Sequence, residues 1–243
     1  TGELSEAIAI SDELWQLNES LKSPFFHIVL HFRKGLIYGA LGRLKAAEDI
    51  LQAGLKLLET GDETFWKPRF LNTLGWIRSE AGDVEEGLKL NREALKLALP
   101  TGDPETIHNA EINVAENYLQ MGHLEKAEKV LEKVRNRIKN KRNLYAGWRY
   151  NTRLLIALGE LHGKTGAHKK ALYFVNRALK AARRNGAVKH EAGALRVKAG
   201  IFHGNRPKMA HACLERAYEL STGIGARRLQ QRIRKAMVSP ENP

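Results

Sequence analysis

A six-residue pattern that returns about every 40 residues constrains this 243-residue chain more than any other feature. It reads Gly, any residue, an apolar residue, two further residues, then Ala or Gly. The copies are Gly2–Ala7 (GELSEA), Gly42–Ala47 (GRLKAA), Gly82–Gly87 (GDVEEG) and Gly122–Ala127 (GHLEKA), with a weaker Gly166–Ala171 (GAHKKA) and a degenerate Asn205–Ala210 (NRPKMA). The glycines are spaced 40, 40, 40 and 44 residues apart, and Asn205 follows 39 residues later. Three equal intervals mark an internal repeat, and units of this length fold only by stacking on their neighbours.

Each pattern reads as a helix–helix junction. Glycine tolerates the left-handed conformation that ends one helix. The next helix starts at once; Asp83 with Glu86 has the form of an N-cap and capping box. The small residue five positions after the glycine lets two helices approach closely. A second junction divides each repeat, at Ser23-Pro24, Thr60-Gly61-Asp62, Thr101-Gly102-Asp103-Pro104 and Asn185-Gly186, with Pro104 at a first helical position. Between junctions the apolar residues keep helical spacing, as in Ile107, Ala110, Val114, Ala115 and Tyr118, or Leu154, Leu155, Leu158 and Leu161, followed by His162. No segment of any length alternates with period two, so strands are not expected. The expectation is an all-α chain, one domain over residues 1–243. It comprises a half repeat at 1–22 (a single helix near 3–19), helix pairs at 23–61, 62–102, 103–143, 144–186 and 187–223, and a terminal helix within 224–238, near 225–237. A half repeat at the start leads us to expect further repeats or another domain upstream, within a larger protein.

These features resemble the tetratricopeptide repeat family across nearly the whole chain. The small first-helix position is filled by Gly35, Gly75, Ala115, Gly159 and Ala199, and the family's tyrosine position by Tyr38 and Tyr118, with Arg78, His162 and Phe202 elsewhere. The second-helix spacing of Ala and a small residue matches at Ala127 with Val134, Ala171 with Ala178, and Ala210 with Ala217. The period near 40 is similar to the long-helix variant of bacterial signal-transduction regulators and cell-polarity adaptors. The resemblance implies a right-handed α-solenoid whose first helices line a concave groove that binds a peptide or partner helix. Carried onto this chain, the groove positions are Phe32 and Leu36, then Arg69, Asn72 and Trp76. They continue with Asn109, Ile112, Asn113 and Glu116, then Arg153, Ile156 and Glu160, and finally Arg196 and His203. The Lys/Asn carboxylate clamp of the chaperone-binding members needs Lys and Asn four residues apart on one first helix, and no first helix here has them.

Charge is the other informative property. Residues 1–132 hold 14 Lys and Arg against 22 Asp and Glu, a net −8, while residues 133–238 hold 26 against 4, a net +22. Helix ends attract one or two cations through the helix dipole, each stabilising by about 0.3–1 kcal/mol. That does not explain six cations within Lys133–Arg142. The basic patch expected from these runs comprises Arg135, Arg137, Lys139, Lys141 and Arg142, then Arg149, Arg183 and Arg184, and Arg227 and Arg228. Tyr145, Trp148 and Tyr150 adjoin it. Such a surface selects an acidic protein partner and speeds encounter. It also suits stacking on single-stranded RNA or DNA, or head-to-tail association with the acidic half of another copy. Protein binding is the leading expectation.

Other chemistries find little footing. No phosphate-binding glycine loop occurs, and no nucleophile–base set can be singled out, so neither an enzyme nor a cofactor is expected. His27 and His31 share a helix face but lack a third ligand, which favours packing over a metal site. Cys213, the single cysteine, reads as a small packing residue. It permits no internal disulfide and suits a reducing, cytoplasmic setting. No apolar run is long enough to cross a membrane.

Overall fold

The computed structural model describes residues 4–60, 65–140 and 147–238. All regular structure among them is helical: α1 (Leu4–Leu21), α2 (Pro24–Ala40), α3 (Leu44–Leu57), α4 (Lys67–Ala81), α5 (Val84–Thr101), α6 (Pro104–Gln120), α7 (Leu124–Asn140), α8 (Gly147–Lys164), α9 (His168–Arg184), α10 (Val188–Phe202), α11 (Pro207–Gly223) and α12 (Arg227–Val238), with one 3-10 turn at Leu58–Thr60. The junctions at Gly61-Asp62 and between residues 143 and 144 lie outside the described residues.

The junction chemistry follows the sequence. Gly82 closes α4 at φ 106°, and its N–H bonds back to Ser79 O at 3.2 Å. One residue on, the Asp83 carboxylate accepts from the N–H of Glu86 at 3.2 Å. Ser23 caps α2 the same way, accepting from Phe26 N at 3.4 Å. Two ends differ from expectation. Helix α1 runs on to Leu21, because its stop is Lys22 at φ 51°, whose N–H bonds to Asn18 O at 2.7 Å. Helix α12 starts at Arg227, because Gly225 at φ 66° belongs to the cap that closes α11.

The chain divides into two compact units, Glu3–Asn117 and Tyr118–Pro243. In the first, α2 lies between α1 and α3, and α4 against α2, α3 and α5. Its core gathers Ile28, Ala47, Leu51, Phe70, Leu74 and Ile77. Gly54 makes room for the fully buried Phe70, since a Cβ there would meet the ring. Burying a side chain of that size stabilises by about 1.5–3 kcal/mol. In the second unit, first-type helices α8, α10 and α12 neighbour one another in order, and α7, α9 and α11 pack beside them as second-type helices. Leu154, Leu158, Leu161, Val175, Ala178 and Ala217 fill its core. Cys213 is half-buried on α11, and burial raises its thiol pKa, which suits packing better than reactivity.

The unit boundary nearly coincides with the change in charge. Glu3–Asn117 carries a net −7 and Tyr118–Pro243 a net +20. The expected charge split is thus a difference between two folded bodies.

Candidate partner-binding faces

In the first unit the first-type helices are α2, α4 and α6. Gly75 and Gly87 bring α4 and α5 so close that a Cβ on Gly75 would sit 2.8 Å from the Gly87 carbonyl. Polar side chains fill the seam. Asn113 Nδ2 donates to Asn72 Oδ1 at 2.9 Å, and Asn91 Nδ2 donates to Asn117 Oδ1 at 2.8 Å. Asn117 Nδ2 then donates to Ser79 Oγ at 2.5 Å, and Ser79 donates to Gly75 O at 2.8 Å. All five side chains are buried. Asn72 and Asn113 therefore spend amide capacity on each other instead of offering it to a peptide. Ile112 is fully buried and presents no surface. The packing thus buries three of the positions that the resemblance assigns to the groove.

The other expected groove residues of this unit keep some exposure: Phe32, Leu36, Arg69, Trp76, Asn109 and Glu116. Phe32 packs edge-on to Trp66 and tilted on Phe70, each with centroids 5.5 Å apart. Arg69 lies over the Phe65 ring at 4.4 Å and pairs with Asp103 at 2.7 Å, while Asp103 caps α6 by accepting from Thr106 N at 3.1 Å. Arg69 thereby ties α4 to the start of α6. His31 is buried, donates through Nδ1 to His27 O at 2.8 Å, and stacks on the His27 ring. Burial is the main reason its pKa is lowered, with the neighbouring His27 and Lys34 adding to the effect. Trp15 of α1 covers both rings. Among the described residues no group of three or more candidate ligands gathers around a metal position.

The second unit presents the cationic counterpart. Arg153, Ile156 and Glu160 of α8 and Arg196 of α10 are partly exposed, as is His203, the residue that closes α10. Arg196 bonds Glu160 at 2.9 Å. Burial pushes the Glu160 carboxyl up, but Arg196, Arg232 and Lys164, with the Arg196 hydrogen bond, outweigh it and hold its pKa below the usual value. Near the start of α8 and α10, Trp148 is 41% exposed and stands edge-on to His190 at 6.3 Å. His190 is pushed down to about 3, first by burial, then by the charges of Arg153, Lys189 and Arg149. Three cations around a buried imidazole add a positive local potential to the cost of burial. His190 and Lys189 were not foreseen; the only sequence signal was a histidine beside a lysine at a helix start. Arg232 of α12 lies within the basic Arg227–Lys235 run of the sequence, though it is not among the expected patch residues.

The basic patch divides by helix. Arg135 pairs with Glu132 at 3.2 Å and Arg183 with Glu191 at 2.7 Å. Arg228 donates to Gln231 at 3.0 Å. Arg137 is partly exposed; Arg149, Arg184 and Arg227 are exposed. Lys141, Arg142 and Tyr145, and the Lys139 side chain, lie outside the described residues. Behind α8, a cleft of about 530 Å³ is lined by Glu128, Glu132 and Arg135, with His162, Lys169 and Tyr173 opposite. Its wall includes His162 stacked on Phe174 at 5.4 Å.

Comparison with known proteins agrees with this architecture. Residues 29–57 match a tetratricopeptide repeat model. None of the curated proteins compared matches the sequence. Solved structures do match in fold. BtubC (BKLC) from P. vanneervenii is 16% identical, with 98% of this chain and 91% of that one covered and a TM-score of 0.61. A Rap protein complexed with Competence and Sporulation Factor is 13% identical with a TM-score of 0.75, and this chain spans 93% of its own length but 63% of Rap. NprR in complex with its cognate peptide NprX is 15% identical over 96% of this chain and 67% of NprR, again with a TM-score of 0.75. The described residues are thus an all-α array of helix hairpins, similar in fold to tetratricopeptide-type repeat structures. Among the described residues no helix is long and apolar enough to cross a membrane.

Proposed function

We propose that this chain is a binding module, not a catalyst, and that the first-helix face of the Tyr118–Pro243 unit captures an acidic peptide or partner segment. The observation that carries the reading is the electrostatic state of that face. His190 is pushed down to about 3 first by burial and then by the charges of Arg153, Lys189 and Arg149, and the Glu160 carboxylate interacts with Arg196 and Arg232. Such a surface attracts carboxylates from a distance and orients them on arrival. Ile156 and Trp148 add apolar contact, and Arg153 and Arg196 supply donors to carboxylates or backbone carbonyls. NprR, which is similar in fold, is seen with its cognate peptide NprX, which supports a peptide as the class of partner here. The setting we propose is a larger intracellular signalling or regulatory protein.

The test is fluorescence anisotropy with a labelled Glu-rich peptide containing one aromatic residue, a neutral peptide of equal length, and a single-stranded RNA. Each is titrated at low and at physiological salt. The reading expects the acidic peptide to bind best at physiological salt and to lose about tenfold or more in the Arg153→Glu, Arg196→Glu double variant. RNA binding that persists at physiological salt while the acidic peptide does not bind would overturn it in favour of a nucleic-acid surface.

A further inference from the structure

The cleft of about 530 Å³ in the Tyr118–Pro243 unit carries charges of opposite sign on its two walls. Its size falls in the range of about 300–1,000 Å³ usual for small-ligand sites. Helix α7 contributes Glu128 and Glu132, one turn apart, and α9 contributes Lys169 and Lys170. Glu132 is taken up by Arg135, whose Nε lies 3.2 Å from its carboxylate. Glu128, Lys169 and Lys170 are exposed, and none of the three makes a hydrogen bond or ion pair among the described residues. Opposite charges thus line one cleft without reaching each other.

The rest of the lining is aromatic. His162, in the last turn of α8, stacks on Phe174 at 5.4 Å and 12° between planes. Tyr173 stands edge-on to Phe174 at 5.3 Å. Arg177 lies 5.4 Å from the Tyr173 ring and donates to its hydroxyl at 3.0 Å, which holds the ring in place. Burial, helped by Lys170, lowers the His162 pKa against the opposing pull of Glu128 and Glu132, so the imidazole is neutral at neutral pH. Packing does not account for Tyr173, which is 56% exposed. Counted from the repeat glycine, its equivalents are Asp49, Lys89 and Lys129, all exposed and polar. An exposed aromatic ring replaces them only in the repeat where it borders this cleft.

We propose that this cleft binds a small zwitterion with an aromatic side chain, either an aromatic α-amino acid or a short peptide that ends in one. The ligand's α-ammonium meets Glu128, its carboxylate meets Lys169 and Lys170, and its ring lies against Tyr173 and the His162–Phe174 pair. A simple cation would be repelled by the two lysines and a simple anion by Glu128, whereas a ligand with both charges is attracted by both walls. The cleft shares no residue with the Arg153 and Arg196 face, so it stands or falls separately from the acidic-peptide reading.

The probes are L-phenylalanine, the dipeptide Ala-Phe, its N-acetyl derivative and its C-terminal amide. Each is titrated by calorimetry into the intact protein, its Glu128→Gln variant and its Lys169→Gln, Lys170→Gln double variant. All three residues are exposed, so the variants keep their helix content, which circular dichroism verifies. Phenylalanine or Ala-Phe is expected to bind the intact protein with a Kd of about 1 mM or tighter. Acetylation and amidation should each weaken Ala-Phe binding about tenfold. Glu128→Gln should reproduce the loss on acetylation and leave the acetylated peptide unaffected; the lysine variant should do the same for the amide. Binding of phenylalanine alone assigns the site to a free amino acid, and binding of Ala-Phe alone assigns it to a peptide. Failure of both unblocked ligands to bind overturns the proposal. Binding that neither blocking group weakens, or that both variants leave unchanged, overturns it as well.

Discussion

The side-chain amide of Asn113 donates to the Asn72 side-chain carbonyl at 2.9 Å across 41 residues, one residue more than the repeat interval of 40. Both residues are buried, and the seam continues through Asn91, Asn117 and Ser79. A buried amide that loses its partner keeps its desolvation cost, about 1–3 kcal/mol. Asn113→Ala is therefore expected to destabilise the protein by about that amount, read as a lower urea midpoint with an unchanged slope. A midpoint equal to that of the parent would mean that water replaces the lost amide at no cost.

Two glycines of first-type helices should respond in opposite directions to the same substitution. A Cβ on Gly75 would lie 2.5 Å from Asn91 Oδ1 and 2.8 Å from the Gly87 backbone carbonyl, and the backbone contact has no rotamer that relieves it. Gly75→Ala is expected to cost about 1–3 kcal/mol by overpacking the α4–α5 seam. Around Gly193 in α10 a Cβ would meet nothing within 4 Å. Gly193→Ala there is expected to stabilise by about 0.4–1 kcal/mol, because alanine loses less backbone entropy on folding. Thermal denaturation of the pair tests both signs in one experiment.

Acid sensitivity follows from His190. Its folded pKa of about 3 lies far below the ordinary histidine value of 6.5. Between those values the unfolded chain binds the extra proton, so stability is complete above about pH 6.5 and declines as pH falls. From about pH 7.5 to about pH 5 this one residue is expected to remove up to about 2 kcal/mol. His31 and His162, both lowered chiefly by burial, act in the same direction. Urea unfolding at the two pH values should show a smaller acid loss in His190→Gln than in the parent. Equal losses would assign the acid sensitivity to the other two histidines and the carboxylates.

The junctions were legible because their chemistry is local. Gly82 needs a positive φ and Asp83 needs only Glu86, three residues on, so a short window contains the whole cause. The faces of the first helices were not. Asn72, Ile112 and Asn113 fall on the turns that the resemblance assigns to the groove. Which side of such a helix is buried depends on how tightly its neighbours approach, and here Gly75 and Gly87 draw the seam shut over the asparagines. The field around His190 depends on Arg149 and Arg153, about 40 residues earlier in the chain, and only the α8–α10 packing brings them together. Charge patterning is cumulative, so the contrast between the two units survived in the sequence while its individual pairings did not.

Glu160 offers the sharpest test of whether the cationic face works through its charge. Its carboxylate compensates Arg196 and Arg232, and the Arg196 bond at 2.9 Å is partly buried. Glu160→Gln keeps the shape and removes the charge. The loss of the ion pair is expected to destabilise the fold by about 1–3 kcal/mol. An acidic peptide should nevertheless bind several-fold tighter at low salt, since the face gains a full positive charge, and the advantage should shrink at physiological salt through screening. The two effects have opposite signs and separate readouts, urea unfolding and anisotropy. Weaker peptide binding together with lower stability would instead assign Glu160 the role of holding Arg196 in its binding posture, and would make geometry rather than net charge the property that this face presents to its partner.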